Sequence, residues 1–142
     1  MSERPPRPAD AQLDAQLRGL YERDLASQAC GMHLVEARPG YACLRMTVRP
    51  DMANGHGVCH GGMIFTLADT AFAFACNAGH PLTLSSGAGV EFLRPAKPGD
   101  ELTAIAEERS RGRRSGVYDV RVSNQHGECV ALVRGRSHQV GG

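Results

Sequence analysis

Between residues 10 and 27 the apolar side chains Leu13, Leu17, Leu20, Tyr21 and Leu25 recur at steps of three and four. That spacing predicts an amphipathic helix with one apolar stripe. From Met32 the period shortens to two. Over residues 41–49, Ala42, Leu44, Met46 and Val48 alternate with Tyr41, Cys43, Arg45, Thr47 and Arg49, the pattern of a half-buried strand. Pro39-Gly40 forms the turn before it and Pro50-Asp51 closes it. Strand patterning resumes after Gly79, over 82–93, 102–109, 116–122 and 129–138. These runs are separated by Pro-Gly-rich residues 95–100, by Arg111-Gly112 and by residues 124–127. Such short connections predict an antiparallel meander, because parallel pairing needs long crossovers.

One element breaks this alternation. Residues 62–78 (GMIFTLADTAFAFACNA) are apolar around the whole circumference of a helix. Such a helix is enclosed by protein or by lipid. Spanning a bilayer takes about 20 apolar residues, whereas this run is shorter, has Asp69 at its middle and lacks flanking Lys or Arg. The pattern therefore predicts an α+β hot-dog fold, an antiparallel sheet of about five or six strands wrapped around a long central helix. A sheet of that size covers one side of the helix, so a second copy of the chain is expected to cover the rest.

A chain of 142 residues fits one domain, expected over residues 11–142. Residues 1–10, proline-rich and without an apolar run, read as a disordered tail and not as a signal peptide. With 16 basic and 15 acidic residues there is no global field to attract nucleic acid or an anionic membrane. The five cysteines, Cys30, Cys43, Cys59, Cys76 and Cys129, are odd in number, widely spaced and without a CxxC pair. They read as the reduced thiols of a cytoplasmic protein.

Candidate chemistry concentrates at the start and middle of the apolar helix. An ionised carboxylate in such a helix costs roughly several kcal/mol unless it is paired or solvated. Asp69 is therefore a candidate functional group, and a capping or pairing role is its alternative. Gly55, Gly57, Gly61 and Gly62 fall within eight residues just where the helix begins. Glycine admits a ligand close to the backbone. The first N–H groups of a helix lack internal partners and sit at its positive end, so they suit an oxyanion formed during acyl transfer. Asp69 lies ~12 Å further along at ~1.5 Å per residue, too far to share one carbonyl with Gly61. Two antiparallel helices in a dimer would set Asp69 of one chain against Gly61 of the other.

Other readings of the same stretch are weaker. His56, Cys59 and His60, with Asp69, could be metal ligands, but HxxCH lacks the second cluster typical of zinc sites. Cys59 beside His60 could form a nucleophile and base, although neighbours in sequence seldom converge. The glycines form no GxGxxG run. The basic residues Arg94, Lys97, Arg109, Arg111, Arg113 and Arg114 flank turns. They are either solvated charges or a clamp for the phosphates of a nucleotide.

Three ordered segments, NGHGVCHGGMIFTLADTAFAFACN (residues 54–77), EFLRPAKPGD (91–100) and SGVYDVRVSNQHGECVALVRGRSH (115–138), closely resemble the PaaI-type phenylacetyl-CoA thioesterases of the hot-dog superfamily. The resemblance extends over about residues 15–142. It implies an acyl-CoA thioester hydrolase acting on phenylacetyl-CoA or hydroxyphenylacetyl-CoA, built as a tetramer of paired hot-dog dimers. The implied catalytic aspartate is Asp69 and the implied carbonyl-polarising amide is that of Gly61. Asn54 and His60 match motif positions that shape the site. The serine that holds the attacking water corresponds to Ser86, with Ser85 adjacent.

No cofactor or metal is implied, coenzyme A being part of the substrate. The clamp residues would be Arg94, Lys97, Arg111, Arg113 and Arg114. Asp69 would act as general base on water or as nucleophile. A hot-dog enoyl-CoA hydratase or dehydratase and a non-catalytic acyl-CoA-binding module are the alternatives. Phe72, Phe74 and Met63 could line an aromatic-accepting pocket or pack in the core.

Overall fold

The computed structural model describes residues 15–141; the tail at 1–10 and the first turn of the predicted N-terminal helix, including Leu13, lie outside them. The remaining part of that helix is divided in two. α1 (Ala15–Arg23) and α2 (Leu25–Ala29) meet at Asp24, whose side chain caps α2 by accepting from the Ser27 amide at 3.0 Å and the Ser27 hydroxyl at 2.7 Å. A capping Asp offers its carboxylate to amides that have no helical partner. That local bond outweighs continuous apolar spacing, which is why one predicted helix becomes two.

Six strands form one antiparallel sheet: β1 (His33–Arg38), β2 (Tyr41–Thr47), β3 (Thr83–Phe92), β4 (Glu101–Arg111), β5 (Ser115–Ser123) and β6 (Cys129–Gln139). Their order across the sheet is β1-β2-β4-β5-β6-β3. The meander expectation holds for β4, β5 and β6 but fails for β3, which is joined to β4 by a short connection yet lies at the opposite edge, beside β6. The reason is the helix between β2 and β3. α3 (Gly61–Asn77) runs across the sheet and delivers the chain to the far side, where Asn77 grips β3. Its side chain donates to the Thr83 carbonyl and accepts the Thr83 amide, both at 2.9 Å.

The sheet curls around α3. Leu34, Leu44, Leu102, Val120, Val122 and Val130 are fully buried against Ile64, Leu67, Ala71 and Ala75 of the helix. Phe72 packs edge-on to Tyr118, with ring centroids 5.4 Å apart, and a methyl group at Gly135 would meet the Phe72 ring at 3.1 Å. The β1–β2 hairpin turns at Gly40 with φ +78°, where its amide reaches back to the Ala75 carbonyl of α3 at 3.1 Å. That left-handed φ is open to glycine at little cost. No helix among the described residues is long and apolar enough to cross a membrane.

α3 is not enclosed all round. Gly62, Thr66, Asp69 and Ala73 retain exposure and follow one another at steps of four, three and four, which is one helical stripe. Asp69 sits in this open stripe. β3 forms one edge of the sheet and carries Leu84, Phe92 and, just past its end, Leu93, each more than half exposed. An apolar sheet edge of this kind is a template for pairing with another strand.

Candidate active site

The approach to α3 is an ordered loop. The Asn54 carboxamide oxygen accepts from the His56 amide at 2.9 Å and the Val58 amide at 3.3 Å, and Gly57 turns with φ +80°. Asn54 therefore shapes the turn by local bonding. The Cys59 amide donates to the Ala96 carbonyl at 2.7 Å and the His60 amide to the Met52 carbonyl at 2.8 Å, which fixes the loop to the β3–β4 connection.

His60 is the N-cap of α3, and its Nδ1 accepts from the Gly62 amide at 3.0 Å. The Met63 and Ile64 amides turn to the His60 carbonyl at 2.9 and 3.3 Å. The Gly61 amide has no hydrogen-bond partner among the described residues. At the positive end of a 17-residue helix, one donor thus remains available to a negatively polarised oxygen. A side chain at position 61 would also fill the approach, because its first carbon would lie 3.0 Å from Phe92 Cζ.

Asp69 lies on the same helix, and no described residue supplies its carboxylate with a hydrogen bond or ion pair. Burial, and to a lesser degree the charge of Asp24, pushes its carboxyl above the ordinary range. A half-buried carboxylate without a partner is disfavoured as an ion and is correspondingly ready to accept a proton. Behind it, the buried hydroxyls of Ser27 and Thr70 meet at 2.8 Å, linking α2 to the residue that follows Asp69.

The structure brings Asn54, His60 and Gly61 into one continuous turn and sets Asp69 two turns on. Ser86 falls at a bulge in β3 and gives its hydroxyl to the Arg136 carbonyl at 3.2 Å. Ser85 stands opposite buried Ser137, so the pleat points Ser85 toward the helix side. The five proposed clamp residues are not one group within a chain. Arg94 and Lys97 lie in the connection before β4, and Arg111, Arg113 and Arg114 lie at and beyond its other end, about 33 Å away at ~3.3 Å per residue. Arg94 pairs with Glu128 at 3.4 Å, and Arg111 and Arg114 reach Gln139 at 3.5 and 3.3 Å.

Phe72 and Phe74 are 2% and 1% exposed and belong to the core, whereas Met63 is only partly buried at its edge. Phe92, which sequence reasoning did not single out, is the aromatic residue whose ring faces the place a side chain at position 61 would take. Its place at an alternating strand position gave no sign of this, since the contact depends on the helix start being folded back onto β3. Among the described residues no cluster of three or more His, Cys, Asp or Glu side chains is placed to hold a metal ion; His60 Nδ1 is engaged in capping and Cys59 is buried.

Residues 56–131 match the family described as the thioesterase superfamily. The chain is 46% identical over 123 residues to the acyl-coenzyme A thioesterase PaaI of Escherichia coli K12, covering 87% of this chain and 88% of that one. The solved E. coli PaaI protein, from the phenylacetic acid degradation operon, superposes with a TM-score of 0.85 over 87% of this chain and 90% of its own. A mutant of the phenylacetic acid degradation protein PaaI from Thermus thermophilus is 33% identical, with a TM-score of 0.79 over 82% and 100% of the two chains. A Streptococcus mutans UA159 protein solved with acetyl CoA bound is 27% identical, with a TM-score of 0.74 over 76% and 87%.

Proposed function

We propose, because this chain belongs to the thioesterase superfamily, that it hydrolyses acyl-CoA thioesters, phenylacetyl-CoA or its ring-hydroxylated relatives among them, to the free acid and coenzyme A. The observation that carries this reading is the pairing of opposites on α3: a free amide at Gly61 and an unpartnered, proton-seeking carboxylate at Asp69. Hydrolysis of a thioester needs both, a donor for the carbonyl oxygen and a base or nucleophile for the carbonyl carbon.

Both groups lie on one helix at a separation of about 12 Å by helical rise, so the reading requires two copies. The open stripe of α3 and the apolar edge of β3 are the surfaces on which a second copy would close, antiparallel, to set its Gly61 against this chain's Asp69. A pair of such dimers gives the tetramer. In each site the thioester oxygen takes the Gly61 amide proton as a hydrogen bond and gains from the helix dipole. Asp69 removes a proton from water as the hydroxyl adds to the carbonyl carbon, or attacks that carbon itself to give a mixed anhydride that water then opens. Either way the C–S bond breaks and the thiolate leaves. Single turnover in ¹⁸O-water separates the routes: general-base attack puts the label into the acid product, whereas opening of the anhydride at the Asp69 carbonyl puts it into Asp69 and leaves the acid unlabelled.

Ser85, on the helix side of β3, is the better-placed of the two serines to hold that water, and Ser86 supports the bulge beside it. Arg94 and Lys97, near the helix start through the Cys59–Ala96 bond, are assigned to the nucleotide phosphates; Arg111, Arg113 and Arg114 could serve only from another copy. The chemistry as assigned uses no metal or cofactor. The five unpaired cysteines support a cytoplasmic setting. The test is thiol release across phenylacetyl-, hydroxyphenylacetyl-, benzoyl- and hexanoyl-CoA, expected to be fastest with the arylacetyl thioesters. Binding of these thioesters without thiol release would overturn the proposal.

A further inference from the structure

Phe92 ends the edge strand β3 and is 52% exposed. In the antiparallel register it stands opposite Ala131, a fully buried residue, so its side chain projects to the face of the sheet that carries α3. A methyl group on Gly61 would lie 3.0 Å from Cζ and 3.4 Å from both Cε atoms of the ring. The outer end of the ring therefore faces the space that a side chain at position 61 would occupy. The placement is held from both sides. The Cys59 amide donates to the Ala96 carbonyl at 2.7 Å, four residues after Phe92, and the Leu93 amide donates to the Val130 carbonyl at 2.8 Å.

An aromatic side chain thus stands beside the Gly61 amide, about half exposed in the single chain. We propose that Phe92 is a specificity-determining wall of the acyl pocket, and that it favours acyl groups bearing an aromatic ring over straight chains of similar size. The inference rests on the acyl-thioester reading above. A carbonyl held by the Gly61 amide places its acyl substituent within a few bonds of this ring. Two aromatic rings gain from offset or edge-to-face contact beyond the burial of area, and an alkyl chain does not. The large apolar residues Phe72 and Phe74 cannot supply that wall, being enclosed in the core. Phe92 stays with Gly61 of its own chain, so in a shared site it faces the Asp69 of the other copy.

The test compares kcat/KM for phenylacetyl-CoA and hexanoyl-CoA in the wild type, Phe92→Leu and Phe92→Tyr, with the oligomeric state of each measured by light scattering. Leucine keeps apolar volume and removes the ring; tyrosine restores the ring. The phenylacetyl-to-hexanoyl ratio is expected to fall about three- to tenfold in Phe92→Leu, the span of a typical aromatic contact. It should recover toward the wild-type value in Phe92→Tyr. A ratio unchanged in Phe92→Leu would overturn the inference, as would equal loss on both substrates with dissociation of the oligomer, which would make Phe92 a packing residue only. Wild-type protein that releases no thiol from either substrate would instead refute the thioesterase reading itself.

Discussion

His60 Nδ1 accepts the Gly62 amide proton at 3.0 Å, and this bond decides which amide at the start of α3 is free. Gly62 is spent on capping; Gly61 is not. Gly61 is also the first helical residue, a position where proline is tolerated because its missing N–H would have had no helical partner. The ψ of 133° at His60 is the extended conformation that a residue before proline adopts.

Gly61→Pro should therefore remove the oxyanion donor while leaving the helix in place. Turnover is expected to fall ~10²-fold or more, the usual loss for one oxyanion donor, with an unchanged far-UV circular dichroism spectrum. Gly61→Ala sets the same first carbon beside Phe92 but keeps the N–H, so it should lose less. Equal activity in the two variants would show that crowding at Phe92, and not the amide, matters.

Asp69 is predicted to trade stability for reactivity. Its carboxyl is raised above the ordinary 3.8, so the folded state binds its proton more tightly than the unfolded chain does. The stability this confers is complete below about pH 3.8 and is lost as pH rises through the folded-state value. At pH 7, Asp69→Asn should accordingly melt at a higher temperature than the wild type, and the gap should close in acid. Its turnover should be ~10²-fold lower or worse. In the wild type, kcat should fall on the acid side with a midpoint above the usual carboxylate range, because the ionised form is the reactive one. A less stable Asp69→Asn would contradict this.

Asp119 behaves in the opposite way. Arg134 first and then Arg109 hold its carboxyl down to about 2, through contacts of 2.7 and 2.9 Å. Its contribution to stability is present above the ordinary 3.8 and disappears as pH falls toward 2. Both arginines are more than half exposed, so salt screens the cluster. Asp119→Asn is expected to cost up to about 1 kcal/mol at neutral pH and low salt, and nothing near pH 2. A urea titration at the two pH values checks it.

Much of this was legible in the residues. Leu44 and Met46, alternating with Arg45 and Thr47, gave a strand that is half buried, and the apolar run from Gly62 gave a central helix with Asp69 as its anomaly. The break at Asp24 was hidden because periodicity reports burial and is blind to a side chain that bonds its own backbone. The placement of β3 beside β6 was hidden because alternation fixes a strand's faces and not its neighbours. That the sheet covers only one side of α3 follows from its size, but which residues form the open stripe, Thr66, Asp69 and Ala73, was concealed, since alanine and threonine serve either inside or at an interface. The contact of Phe92 with Gly61 joins residues on different elements, and no local pattern encodes it.

If Asp69 and Gly61 act together across two copies, two inactive variants should rescue each other. Asp69→Asn and Gly61→Pro, each inactive alone, should be unfolded together in equal amounts, refolded and assayed for thiol release from phenylacetyl-CoA. A mixed pair contains one doubly altered site and one site with both native groups. Random pairing in a two-fold dimer then predicts recovery of about a quarter of wild-type activity. A refolded mixture as inactive as its two components would contradict a shared site.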